Sequence, residues 1–173
     1  KPQRVRNTLG EWLGKQKKKQ FRLAETEKYP HVTFFFNAGI EEASPGETRF
    51  MVPSPNVLTY DQKPEMSAYE VTNNLVKGIE EQEYDFILVN YANPDMVGHT
   101  GNLDAAIKSC EVVDECLERV IKSAQSSNAV LIVTSDHGNC EVMYDKLNGA
   151  PHTAHTLNMV PFIVVGLSNS ISL

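Results

Sequence analysis

The chain has 173 residues, 41% of them hydrophobic, and 16 basic against 22 acidic side chains give a formal net charge of −6. That length supports one domain with its own core. The acidic balance argues against a nucleic-acid binder, and no apolar run approaches the roughly 20 residues that span a bilayer. The three cysteines, Cys110, Cys116 and Cys140, follow no regular framework and read as reduced thiols of a cytoplasmic protein. No signal peptide opens the chain. It starts on Lys1 rather than Met, so the natural start is expected upstream.

Thr8 and Glu11 have capping-box spacing and predict a first helix. The lysines at 15, 17, 18 and 19 read as its solvated end, where cations suit the helix dipole. Residues 21–24 and 32–36 predict short buried strands. Prolines at 45, 53 and 55, with Gly46, predict a long irregular connection over 41–63, of the kind that is more often functional than idle. A second helix is expected from Ser67, paired with Glu70 in another capping box, with Leu75, Val76 and Ile79 on its apolar face. Residues 86–90 read as a buried strand. A third helix is expected over about 103–124. Its core stripe would be Ala106, Cys110, Val113, Leu117, Val120 and Ala124, with Cys110 in the core. Residues 129–134 and 162–165 read as further strands. The alternation implies an α/β fold with a mostly parallel sheet covered on both faces, and no internal repeat or second domain is visible.

Two polar motifs follow strands directly. One runs from Asn90 through Asp95 to His99, and the other is Thr134-Ser-Asp-His-Gly-Asn139. Sites in open parallel sheets form outside the carboxyl ends of strands, so both motifs are expected at one rim. A third polar loop, Pro151-His-Thr-Ala-His-Thr156, follows a turn around Asn148 and Gly149. Four of the five histidines share these loops with Asp95 and Asp136. Carboxylate with imidazole suits divalent manganese, zinc, iron and related metals. Five good ligands exceed one three-ligand centre. Two ions about 3.5–4 Å apart would use them all, and such a pair clamps the attacking and leaving oxygens of a phosphoryl group. Each residue also has a plainer reading. Asp-His in a loop is commonly a cap or turn, and Asp95 before a glycine is compatible with turn chemistry. His31 reads as a structural residue opening a strand. His152 reads either as a ligand or as a residue that orients its neighbour by a hydrogen bond. The convergence of three histidine-bearing loops favours metal.

Five stretches, in order, cover nearly the whole chain: Ala24-Glu-Thr-Glu-Lys-Tyr29, His31-Val-Thr-Phe-Phe-Phe-Asn37, Asn93-Pro-Asp-Met-Val-Gly-His-Thr-Gly101, Thr134-Ser-Asp-His-Gly-Asn139 and His152-Thr-Ala-His-Thr156. On these the chain resembles the cofactor-independent phosphoglycerate mutases of the alkaline phosphatase superfamily. The resemblance implies a three-layer sandwich with a mostly parallel sheet. It implies interconversion of 3-phosphoglycerate and 2-phosphoglycerate through a phosphoserine, in glycolysis and gluconeogenesis. It also implies two divalent metals, manganese foremost with magnesium or cobalt as alternatives, and no 2,3-bisphosphoglycerate. Carried over by motif, Asp95, His99 and His155 look like ligands of one metal, and Asp136 and His137 of the second. Lys28 looks like a contact to substrate phosphate; the plainer alternative is a surface ion pair with Glu25 or Glu27.

The departure from the family is large. Complete members carry an N-terminal segment with an Asp ligand and the nucleophilic serine, followed by an inserted phosphotransferase domain. Nothing here matches either, Ser135 is not expected to be the nucleophile, and no catalytic residue is assigned. Residues 1–173 are therefore expected to be the C-terminal portion of the metal-binding phosphatase domain, an incomplete fold without its closing helix and inactive alone. The expected partner is a small-molecule substrate, with no nucleic acid or membrane, and the whole enzyme is expected to be a monomer. Two rivals stand: another phosphatase, phosphopentomutase or sulfatase-like hydrolase of the same superfamily, and a non-catalytic, metal-stabilised module.

Overall fold

The computed structural model describes residues 5–167; the tail at 168–173, where a closing helix was not expected, lies outside them. The central strand β1 (Gln20–Glu25) pairs in parallel with β2 (Glu47–Val52) on one edge and β3 (Phe86–Asn90) on the other. Strand alternation sends its side chains to two covered faces. On one face Phe21 and Leu23 join Val52, Val71, Leu75 and Val120 in the main core. This face is roofed by α3 (Ala68–Glu80) and α5 (Leu103–Ser126). Each such side chain removed from water contributes about 1.5–3 kcal/mol. On the other face the buried Arg22 guanidinium lies 4.5 Å from the Phe36 ring centroid and 5.1 Å from that of Phe86, and donates to Gln20 Oε1 at 2.7 Å. Gln20 Nε2 in turn donates to Gly10 O at 2.9 Å, which seats α1 (Leu9–Lys15) there. The expected α/β sandwich with a parallel sheet and helices on both faces is present.

The first capping box forms as the sequence predicts, with Thr8 and Glu11 each bonding the other's backbone. The second does not. Ser67 is the N-cap of α3, but its hydroxyl donates to Pro53 O at 2.7 Å instead of capping the helix. Residues 32–36 are not a strand. Pro30 sits in the first turn of the short helix α2 (Tyr29–Val32), Thr33 Oγ1 donates to Tyr29 O at 2.7 Å, and positive φ at Ala38 and Gly39 turns the chain back. The stretch 41–63 is not wholly irregular, because β2 lies inside it. Gly46, at φ +77°, delivers the chain into β2, and Pro53 follows its last residue. On α5 the buried stripe is Ala105, Ala106, Ser109, Val112, Cys116, Val120, Ser123 and Ala124. Cys116 is the core thiol there, and Cys110, expected in the core, is exposed.

A further departure concerns the sheet. β4 (Leu131–Thr134) pairs antiparallel with β7 (Phe162–Val165) in a sheet of its own, not in the parallel one. β5 (Tyr144–Asp145) and β6 (Ala150–Pro151) form a hairpin between them. A cleft of 1120 Å³ lies between β3 and β4, with Val113 and Leu117 of α5 in its wall. β3 is accordingly half-buried along its whole length rather than buried.

Candidate metal centre

β3 feeds directly into α4 (Asn93–Gly98), a short helix with proline in its first turn. Its anchors are the fully buried Val97 and the buried Asn93, whose Nδ2 donates to Pro64 O at 2.8 Å. One helical turn puts Asp95 and His99 on the same side, with Asp95 Oδ1 3.0 Å from His99 Nε2. From the third loop, His155 Nε2 stands 3.0 Å from Asp95 Oδ1 and 3.0 Å from His99 Nε2. The three donor atoms therefore form a triangle with equal edges.

That triangle is suited to a cation. His99 Nδ1 lies 2.7 Å from Thr153 O, and a carbonyl only accepts, so Nδ1 holds the proton and Nε2 presents a lone pair. Asp95 is ionised. With neutral imidazoles, only His155 can place a hydrogen on any of the three edges. A divalent ion satisfies all three at once. Around an ion with bonds of about 2.1 Å, neighbouring donors stand about 3.0 Å apart in an octahedron and about 3.4 Å apart in a tetrahedron. The observed edges fit.

His137 completes the cluster. Its ring stacks on His155 with centroids 3.6 Å apart and planes 21° apart. Asp95, His137 and His155 offer ligand atoms that all lie within 4.8 Å of one another. Asp136 is exposed at the rim, with Oδ1 3.7 Å from His137 Nε2. The loops are pinned to each other by an isolated bridge in which Thr156 N donates to Gly138 O at 3.0 Å. All five residues named as ligands thus meet in one patch, tightest at Asp95, His99 and His155.

Lys28 ends a 3-10 turn (Thr26–Lys28) that follows β1. Its side chain is 4% exposed and pairs with Asp95 Oδ2. The alternative of a surface pair with Glu25 or Glu27 is overturned. Glu25 accepts from Ser54 Oγ at 2.9 Å, and Glu27 accepts from Tyr60 OH at 2.6 Å. Burial alone would raise the Asp95 carboxyl, but the Lys28 and Asn139 hydrogen bonds and the nearby Lys28 charge hold it down at about 2.

His31 does not open a strand. It lies on α2, edge-on to Phe35, with a buried Nδ1 that has no partner among the described residues. Burial pushes its imidazole down, Lys28 adds to this, and Asp136 and Asp95 oppose it, so it sits within the field of the centre. His152 does not join the triangle. Its backbone N donates to Met143 O at 3.0 Å, and its buried Nδ1 lacks a partner among the described residues.

Sequence reasoning gave Asn139 no role, yet its Nδ2 donates to Asp95 Oδ1 at 2.7 Å and to Asp95 O at 3.2 Å. Its place directly after Asp136-His137-Gly138 was the available signal. A Cβ at Gly98 would collide with Asn139 Oδ1. Gly98→Ala is therefore expected to displace the amide and weaken manganese binding about tenfold with every ligand still present. Calorimetric titration checks this, and wild-type affinity in a folded variant would show that Asn139 does not support Asp95.

With the geometry established, the similarities are specific. The metalloenzyme superfamily model matches residues 1–170. A 2,3-bisphosphoglycerate-independent phosphoglycerate mutase from Clostridium novyi (strain NT) is 59% identical over 165 residues, 95% of this chain and 32% of the relative. One from Ruegeria pomeroyi is 62% identical over 160 residues, 92% of this chain and again 32% of the relative. A Leishmania mexicana phosphoglycerate mutase, solved at low cobalt concentration, superposes with a TM-score of 0.88 at 35% identity, covering 93% of this chain and 32% of that one. The chain thus spans about a third of the length of these relatives. A match over nearly its full length, on a fold that gathers carboxylate and imidazole donors at one rim, means that this chain belongs to the metalloenzyme superfamily.

Proposed function

We propose that this chain is the metal-holding part of a 2,3-bisphosphoglycerate-independent phosphoglycerate mutase, an isomerase that moves a phosphoryl group between the 3- and 2-hydroxyls of glycerate by way of a phosphoserine. The observation that carries the reading is the donor triangle of Asp95, His99 and His155 with 3.0 Å edges. The names of the relatives supply the substrate. Asp95, His99 and His155 would hold one divalent ion, and Asp136 and His137 would contribute to a second. When bound, such ions act as Lewis acids on phosphoryl oxygens.

The chain's own contribution is charge and position. Lys28 Nζ has three donors, of which the Asp95 carboxylate takes one. The others are available to a phosphoryl oxygen whose negative charge grows during transfer. Among the described residues β3 pairs only with β1 and β4 only with β7, and both line the cleft between them. We place the serine-bearing segment of the whole enzyme in that cleft, outside the present chain. On this reading the substrate is a small phosphorylated hydroxy acid and the working metal is manganese. The whole enzyme is then a cytoplasmic monomer of glycolysis and gluconeogenesis. No helix of the described residues is long and apolar enough to cross a membrane.

The test is a chimera in which this chain replaces the corresponding third of the Clostridium novyi relative. It is expected to convert 3-phosphoglycerate with manganese and without 2,3-bisphosphoglycerate, while the 173-residue chain alone shows no conversion by phosphorus NMR. A folded, manganese-binding chimera that leaves phosphoglycerate untouched would contradict the reading, and so would turnover by the chain alone.

A further inference from the structure

The segment 53–67 runs from the end of β2 to the start of α3 and ties down the two elements that bring Lys28 and Asp95 together. Each of the three residues before Lys28 is bonded to it. Glu25 Oε2 accepts from Ser54 Oγ at 2.9 Å, Thr26 Oγ1 accepts from Ser54 N at 3.0 Å, and Glu27 Oε1 accepts from Tyr60 OH at 2.6 Å. Toward its other end Pro64 O accepts from Asn93 Nδ2 at 2.8 Å, two residues before Asp95. Tyr60, in a 3-10 turn (Tyr60–Gln62), serves both sides. Its ring packs on the buried cluster of Met66, Ala92, Val97 and Ala105, and its hydroxyl reaches Glu27.

We propose that Tyr60 is a positioning residue for Lys28: acting through Glu27, it fixes the turn Thr26–Lys28 against α4 and so sets where the ammonium stands relative to Asp95 and an incoming phosphoryl oxygen. The inference rests on the phosphoryl role given to Lys28 above. A lysine ammonium is a point charge on a flexible four-carbon stem, so its aim depends on where its backbone is held. Asp95 anchors the tip of that stem, and the Tyr60–Glu27 bond anchors its root. The Lys28 side chain is buried, so a shift of the turn moves the ammonium instead of letting the stem re-extend through solvent. Burial and the Glu27 hydrogen bond push the Tyr60 phenol up to about 12, which keeps it a donor at neutral pH. Misplacing a catalytic group by about 1 Å costs on the order of 100-fold in rate.

Substitutions separate this role from general support. Tyr60→Phe keeps the ring on its apolar cluster and removes only the donor. Glu27→Gln loses the charge but keeps a carbonyl oxygen for the phenol to donate to, whereas Glu27→Ala loses the acceptor. A bond that served stability alone would lower the melting temperature and leave Lys28 undisturbed.

The test records the lysine ammonium signals of the metal-free, nitrogen-15-labelled 173-residue chain by NMR, with Lys28→Met identifying the signal of Lys28. Buried and paired, that ammonium is expected to exchange slowly with water and to give a sharp signal. Tyr60→Phe and Glu27→Ala are expected to broaden it away while the amide spectrum stays that of the folded chain, and Glu27→Gln is expected to keep it. An unchanged Lys28 signal in folded Tyr60→Phe would overturn the proposal, as would its loss in Glu27→Gln or a wild-type chain with no protected ammonium. The chimera gives a second readout. There Tyr60→Phe should lower kcat about tenfold with KM nearly unchanged, because it disturbs an interaction that strengthens in the transition state; an unchanged kcat would overturn the proposal. An inactive wild-type chimera counts against the mutase function instead, and the ammonium signal then decides the positioning by itself.

Discussion

Asp95→Asn is expected to destabilise the chain by about 3–5 kcal/mol, and adding Lys28→Met is expected to recover most of that. Asparagine keeps the shape of the side chain but removes its charge. The Lys28 ammonium, on a side chain 4% exposed, then has no counter-charge. Breaking a buried pair on one side costs more than removing both partners, because the remaining ion stays desolvated. For a domain of this size each kcal/mol moves the midpoint by about 2–4 °C, so thermal melts followed by circular dichroism should show a fall of about 10 °C. The pH dependence carries the same signature. The Asp95 carboxyl is lowered from 3.8 to about 2 in the folded chain. A depressed carboxyl stabilises the fold above its unfolded pKa and loses that contribution as pH falls through the folded value. Wild type should therefore lose about 2 kcal/mol relative to the double variant between pH 5 and pH 2. A single variant within about 0.5 kcal/mol of wild type would mean that Lys28 does not depend on Asp95 for its counter-charge.

The parts of this fold that local sequence encodes were legible. Thr8 and Glu11 cap each other three residues apart, and the apolar runs at 21–24, 86–90 and 162–165 become strands. The misreadings occur where two local signals compete. Phe34, Phe35 and Phe36 look like a strand, but a short helix with Pro30 in its first turn precedes them and Gly39 turns the chain behind them. The proline punctuation around β2 hid a six-residue edge strand. On α5, Ser109 reads as polar, yet it packs as a small residue whose hydroxyl donates to Ala106 O at 3.0 Å. The buried seam therefore passes through Val112 and Cys116, one residue earlier than an apolar count places it.

The candidate site divides in the same way. Its residue types could be read because three short motifs carry them. Its supports could not, because they join distant parts of the chain. Lys28 and Asp95 are 67 residues apart, and Asn139 and Asp95 are 44 apart. Local spacing encodes neither contact. The orientation of β4 and β7 escaped for a related reason: apolar runs do not state their partners, and these two pair with each other in opposite directions.

On this structure two segments, α4 and the loop carrying His155, would hold a divalent ion at Asp95, His99 and His155. Calorimetric titration of the chain with manganese, wild type beside His155→Ala and Asp136→Ala, tests it most directly. His155 supplies two of the three edges of the donor triangle, so its loss should weaken the tightest site about 100-fold or more, on the order of 3 kcal/mol. Asp136 lies exposed at the rim, and its loss should change that site less than about tenfold. The expected result is one dominant site per wild-type chain, weakened in His155→Ala and nearly kept in Asp136→Ala. Manganese affinity unchanged in a folded His155→Ala chain would contradict it.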